Sequence, residues 1–489
     1  MTAIDYLIII VYMVVIVAVG LASRGRQESA QDYFSDGGVR GGFLGPVVVG
    51  LSIAATFFSG ISFVAFPSLV FAEGTKVLII FAALIPCLLV VPLWFIPRYM
   101  SFNGRSPYEI VAVRLGPKVR TATSALYTLL RLGWMASLIY APTIVLLAML
   151  GLGAEWKWPI ILAVGLTSTV YATVSGLRGV IITDALQMIV ILVSLFIAAW
   201  CGLREIPFEP LRWIEQLATA GKLTTPGWSL DPTERFTVWG VLIGISISNI
   251  ATYVADQMSL QRYIAMGNVR YAQRSFIYNL IGVVIVLLLL LGLGMVILLW
   301  HIYNPSVAVP DNPDQVFPVY VITVLPMGLS GLMIAAILAA TMSSITSGIN
   351  ALAGAITIDF VQQARPLKSS LYYLSVGRWL SMIIGVVATL SAGLAANLGT
   401  IFDVSQAILG VFIGPILGVV ISAMMDRPVS QARSLAAIVC SCLAGISVVF
   451  SGAQTIWVTA VGVSVYMLIG LPIGSRRLEA TLAESSEKA

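Results

Sequence analysis

The chain has 489 residues and a mass of 52.2 kDa, with 59% apolar residues, 10% charged residues and a net charge of +5. A surface facing water carries roughly a quarter charged residues, so a mean hydropathy of +0.98 excludes a soluble protein. The charge is also too small and too dispersed for a nucleic-acid footprint.

Apolar runs of about 20 residues cross a bilayer, and here they follow one another almost end to end. Thirteen are expected, at 3–23, 42–71, 77–98, 119–150, 158–175, 179–203, 236–261, 275–302, 316–358, 371–396, 399–425, 432–452 and 454–474. The first, Ile4 to Ala22, has no preceding basic residue and no small-residue cleavage site, and reads as a retained helix rather than a signal peptide. The 42–71 and 316–358 runs exceed one straight span and are expected to include bends or amphipathic extensions. One histidine (His301) and four cysteines (Cys87, Cys201, Cys440, Cys442) lie in or at the ends of apolar runs. They offer no metal-ligand spacing and no expected structural disulfide.

Cytoplasmic loops collect Lys and Arg. With the N-terminus outside, the inner segments hold 20 of the 27 basic residues: Arg24, Arg26, Arg40, Arg98, Arg105, Arg114, Lys118, Arg120, Arg178, Arg262, Arg270, Arg274, Arg365, Lys368, Arg378, Arg427, Arg433, Arg476, Arg477 and Lys488. Six fall outside (Lys76, Lys157, Arg204, Arg212, Lys222, Arg235), and Arg131 lies within a span. The expectation is a multi-pass plasma-membrane protein with its N-terminus outside and its C-terminus cytoplasmic. The 204–235 loop is then external. The 476–489 tail is too short for a signalling module.

Four stretches break the rules of a lipid-facing helix. In the second span, Ala55 to Ser62 mixes Gly, Ser and Thr with Phe. Five spans later, Gly244 to Asp256 is again small and polar, with Asn249 amid it. Unwound helices in corresponding halves point to a transport site, and this separation fits a five-plus-five inverted repeat. Close packing through small residues is the competing reading. In the ninth span, Gly331 to Asn350 gathers Ser343, Ser344, Thr346 and Ser347. Ser343, Thr346 and Ser347 share a face, and hydroxyl oxygens suit a small hard cation. The fourth stretch, Ser175 to Gln187, sets Asp184 beside Thr183 and Gln187. An ionisable group in a span is a functional candidate, with pairing to Arg178 as the alternative.

Together these residues resemble the sodium/solute symporter family, whose members carry sugars, proline, pantothenate, monocarboxylates or sialic acid. The resemblance runs from about residue 3 to 474. It rests on Asp32-Tyr33-Phe34, Gly176 to Gln187, Asp256-Gln257 with Gln261-Arg262-Tyr263, and Gly331 to Asn350. It implies a LeuT-like fold within one transporter domain, 1–475. An extra helix (3–23) would precede repeat one (42–203) and repeat two (236–425), with C-terminal helices at 432–474. The implied main sodium site takes carbonyls of Ala55, Phe58 and Ala340 with hydroxyls of Ser343 and Ser344. A second sodium would use Asp184, Ser343, Thr346 and Ser347.

The resemblance is less specific about the solute. Phe81 and Trp134 are apolar where sialic-acid-type members carry polar or cationic contacts. Leu138 to Thr143, with Thr169 to Tyr171, is similar to the monocarboxylate and vitamin branch. Arg131 could take a substrate carboxylate or form a structural pair with an acid such as Asp184. Thr56, Phe57, Ser59, Ser62, Tyr140 and Asn249 are the remaining candidate cavity residues. Gly410, Gly414 and Pro415 could serve a gating bend or packing.

The reading is a sodium-coupled symporter that is not an enzyme and needs no cofactor beyond Na⁺ as coupling ion. Its expected partners are a small organic solute (an organic acid, a sugar or a related compound) and the lipid bilayer, with a monomer as functional unit. Ala55 to Ser62 and Gly244 to Ala251 would gate a midplane site. Proton coupling through Asp184, an uncoupled carrier, a channel and a solute sensor are the alternatives.

Overall fold

The computed structural model describes residues 1–25, 27–35, 44–102, 108–394, 401–425 and 429–471. Arg26, Arg40, Arg105, Arg427, Arg476, Arg477 and Lys488 lie outside the described residues, as does the 476–489 tail. Among the described residues all regular structure is helical. Nine helices among these residues are long and apolar enough to cross a membrane, and three shorter apolar helices, at 44–57, 240–254 and 455–470, accompany them.

Helix α1 (Ala3–Ala22) starts on Thr2, whose backbone N–H and hydroxyl both donate to Asp5 Oδ2, at 2.7 and 2.8 Å. Asp5 Oδ1 accepts from the N–H groups of Gly328 and Gly331 at 2.8 and 2.9 Å. A carboxylate can therefore open an apolar helix because its oxygens are all engaged. The short helix Ala30–Phe34 then carries Tyr33 and Phe34 into the core.

The expected bend in the second span divides it into α2 (Leu44–Phe57) and α3 (Gly60–Glu73). Helix α4 (Pro117–Leu150) runs 34 residues with Pro142 inside it, and α5 (Lys157–Arg204) covers 48. The latter is hinged at Gly176 (φ 63°, ψ −164°), so the expected spans 158–175 and 179–203 are its two arms. Only glycine fits there readily: a Cβ would lie 2.8 Å from Tyr33 Cδ2 in a left-handed backbone region. The Tyr33 hydroxyl donates to Thr173 O at 2.8 Å, fixing the ring against the hinge.

A π-helical stretch at Gly240–Ile245 leads into α6 (Ser246–Val254), and α7 (Gln257–Met266) follows. The 244–251 stretch is thus helical, contrary to expectation, and unwinding falls at Ala255–Asp256. The small residues there serve close packing, since a Cβ on Gly244 would meet Ile456 O at 2.6 Å. Helix α8 (Val269–Tyr303) comes next. The 316–358 run bends between the helix Val316–Val324 and α9 (Leu329–Ala355). Helices α10 (Ser370–Leu394) and α11 (Ile401–Met424) precede Gln431–Phe450 and Val458–Gly470. Gly410 and Gly414 pack on Val458 and Thr459 of that last helix, which accounts for them without a gate.

Helix α8 lies along α2 and α3, while α4, α5, α9 and α10 pack on one another. Helix α9 is almost wholly buried. It passes the α2–α3 break so closely that a Cβ on Gly60 would stand 2.3 Å from Thr341 Oγ1. The α2–α3 break therefore faces α9 and Pro142 of α4, and Asp256 at the second break pairs with Arg131 of α4.

Candidate functional site

Helix α2 ends at Phe57, and Ser59 is extended (φ −98°, ψ 171°). The last carbonyls of α2 consequently lack helical partners. Two α9 hydroxyls reach them: Ser343 Oγ is 2.9 Å from Ala55 O, and Ser344 Oγ is 2.8 Å from Thr56 O. The same hydroxyls lie 3.0 and 3.1 Å from Ala340 O. Five oxygens thus converge with two hydroxyl protons between them. That surplus of acceptors, at the negative end of a half-helix, suits a small cation such as sodium. Of the expected main-site residues, Ala55, Ala340, Ser343 and Ser344 are brought together, and Phe58 sits in the adjoining non-helical link. Thr56 O, which sequence reasoning did not name, is the second carbonyl that these hydroxyls reach.

The expected second set is assembled differently. Asp184 Oδ2 accepts from Ser347 Oγ and Ser52 Oγ at 3.0 Å each, and from Arg262 Nη2 at 2.8 Å. Arg262 also donates to Ser347 Oγ at 2.6 Å and to Ser52 Oγ at 2.9 Å. Among the described residues Asp184 Oδ1 has no hydrogen-bond donor. Thr346 Oγ1 bonds back to Met342 O at 2.9 Å, and Ser343 Oγ donates to Ala55 O. The partner of Asp184 is Arg262, neither Arg178 nor Arg131. Arg178 instead lies against Gly25.

Between the breaks lies a cavity of about 220 Å³, lined by Phe57, Phe58, Ser59, Ser62, Arg131, Trp134, Asn249 and Gln406 among others. Among the described residues Arg131 is the one charged side chain on its wall. Its guanidinium stands 4.4 Å from the Trp134 ring centroid and is ion-paired with Asp256, both side chains being fully buried. Asp256 caps α7 by accepting from Met258 N at 2.8 Å, and Tyr127 OH donates to its Oδ1 at 3.2 Å. Tyr108 OH donates to Ala255 O at 2.9 Å, closing the end of α6.

Three expected cavity residues lie elsewhere. Thr56 is buried behind the wall, its hydroxyl bonded to Ser52 O at 2.7 Å. Phe81 sits on the 3-10 stretch that presents Ile80 to the cavity, and Tyr140 holds Lys157 Nζ 5.0 Å from its ring centroid. Asp256, Tyr127, Ser52 and Arg262 were missed as site residues. A charged residue inside an apolar run was the available signal for Asp256 and Arg262.

A family model described as the sodium:solute symporter family matches residues 38–440. The human sodium-coupled monocarboxylate transporter 2 is 29% identical over 408 residues, covering 82% of this chain and 65% of that protein. The sodium/sialic acid symporter NanT of Aliivibrio fischeri is 27% identical over 448 residues, covering 89% of this chain and 86% of its own. The substrate-bound outward-open structure of a Na⁺-coupled sialic acid symporter superposes with a TM-score of 0.85 at 24% identity, over 96% of this chain and 97% of that one.

Proposed function

Because the chain belongs to the sodium:solute symporter family, a family of multi-pass membrane transporters, we propose that it imports a small organic solute by coupling it to sodium through alternating access. The observation that carries this reading is the oxygen cluster of Ala55, Thr56, Ala340, Ser343 and Ser344 at the α2–α3 break, one residue removed from the cavity wall. A sodium bridging α2 and α9 there would favour the arrangement in which the break and the cavity are formed. That differential is what coupling requires.

The fold is taken as 13 crossings, with repeats at 42–203 and 236–425, in the plasma membrane with the N-terminus outside and a monomer as the working unit. A second sodium would occupy the face of Asp184, Ser343, Thr346 and Ser347. One sodium crossing 100 mV with a tenfold gradient releases about 3.7 kcal/mol, enough for roughly 500-fold accumulation of a neutral solute. The cavity size suits a small solute, since it lies below the roughly 300–1,000 Å³ of drug-sized pockets.

Thermal stability of the purified protein tests this across a panel of acids, amides, sugars and amino acids, each in sodium or in potassium at equal ionic strength. A ligand of the native state stabilises by RT ln(1 + [L]/Kd). Stabilisation by one solute class in sodium alone supports the symporter. Equal behaviour in sodium and potassium for every solute overturns it.

A further inference from the structure

A groove of about 340 Å³ lies apart from the central cavity, between Thr173 of α5 and Leu371, Leu374, Ser375, Arg378, Trp379 and Met382 of α10. Among the described residues Arg378 is the one charged side chain on its wall. It sits about two turns into α10 and is half-buried. Arg378 Nη2 donates to Gln27 Oε1, and Gln27 Nε2 donates in turn to Val174 O and Ser175 O of α5 at 3.2 and 3.0 Å. The guanidinium, which has five N–H donors in all, is thus held beside the end of the first α5 arm. The Thr173 hydroxyl is buried there and has no hydrogen-bond partner among the described residues.

We propose that this groove binds an anionic phospholipid, with its phosphate on Arg378 and Thr173 and its acyl chains along α10. An unpartnered buried hydroxyl is costly, and a phosphate oxygen accepts from both a hydroxyl and a guanidinium. The rest of the wall suits hydrocarbon. Leu371, Trp379, Met382, Ile383, Val387 and Leu390 are exposed on one side of α10, and an exposed apolar stripe of this length on a membrane helix is a lipid-facing surface. The groove opens into the start of that stripe, where Trp379 and a snorkelling Arg378 mark the level of the headgroups.

Charge selects among lipids. A zwitterionic headgroup brings a cation along with its phosphate, and no acidic side chain lines the groove among the described residues to receive it. A net negative headgroup has no such cation to place, and basic pockets between membrane helices favour it. A free phosphate would satisfy Arg378 and Thr173 but leave Leu374, Trp379 and Met382 uncovered. In the orientation proposed above the groove faces the cytoplasmic leaflet, and its occupant would tie α10 to the α5 arm just before the Gly176 hinge.

Native mass spectrometry of the purified, delipidated full chain tests this, with dioleoylphosphatidylglycerol or dioleoylphosphatidylcholine titrated in. Thermal stability is measured alongside in each lipid and in inorganic phosphate. The first phosphatidylglycerol is expected to bind at least roughly fivefold more tightly than phosphatidylcholine, the effect of one basic residue at a charged surface. Arg378→Gln should abolish that preference. Arg274→Gln, which removes an exposed basic residue of α8 that does not line the groove, should keep it. Ser375→Phe fills the groove without removing the Arg378–Gln27 bond and should weaken phosphatidylglycerol binding by a similar factor, so it carries the test if Arg378→Gln does not fold. The proposal is overturned if the two lipids bind alike, or if Arg378→Gln or Ser375→Phe binds as the unmodified protein does. It is also overturned if Arg274→Gln loses the preference equally, or if inorganic phosphate stabilises as much as phosphatidylglycerol.

Discussion

The Ser344 hydroxyl lies 2.8 Å from Thr56 O, joining α9 to the broken end of α2 across 288 residues of sequence. With Ser343 on Ala55 O, it gives the unwound carbonyls side-chain partners. The contacts that close this buried helix end are thus the ones the proposed sodium site would use.

Ser344→Ala removes one ligand and strands a buried carbonyl, a cost of about 1–3 kcal/mol. Sodium titrations followed by thermal stability should show a weaker sodium effect by roughly tenfold or more in midpoint concentration. An unchanged midpoint would remove Ser344 from the ion site.

The buried pair of Asp184 and Arg262 gives a second expectation. Asp184→Asn or Arg262→Gln alone leaves an unpaired buried charge and should destabilise by about 3–5 kcal/mol. The double variant should cost clearly less than the sum. Unfolding measured by loss of helical signal in detergent checks this, and simple additivity would mean the two groups are not coupled.

Much of this fold was legible because bilayer thickness translates directly into apolar run length, and because the Ser and Gly of Ala55 to Ser62 coincide with a true break. Gly244 to Ala251 looked equally interrupted, yet small residues ease helix contact as well as unwinding, and here they do the former. The unwinding sits instead at Asp256, whose side chain can cap the next helix. The hydroxyls of α9 were recognisable from their shared face. The ion pairs were not: Arg262 with Asp184 and Arg131 with Asp256 join residues 78 and 125 positions apart, a relation that no local periodicity encodes.

Gly176→Ala should destabilise by about 1–3 kcal/mol, because the backbone there is left-handed and the Tyr33 ring fills the space a Cβ would need. Melting temperatures of Gly176→Ala, Tyr33→Ala and the double variant would read the contact. Equal losses with and without Tyr33 would assign the cost to the backbone alone.

The proposed orientation places the 204–235 loop outside. In a background with Cys201, Cys440 and Cys442 replaced by alanine, leaving the buried Cys87, an Ala218→Cys variant offers an exposed thiol on the helix Pro210–Thr219. A membrane-impermeant maleimide added to intact cells should label it rapidly. Labelling only after permeabilisation would invert the topology.

Solute-stimulated influx of ²²Na⁺ into proteoliposomes tests sodium coupling most directly, with pooled small carboxylates, amides, sugars or amino acids supplied outside. One pool is expected to accelerate saturable ²²Na⁺ entry, with the acceleration lost in Ser344→Ala. Coupling to sodium is contradicted if no pool accelerates ²²Na⁺ entry while a pooled solute still accumulates under a proton gradient.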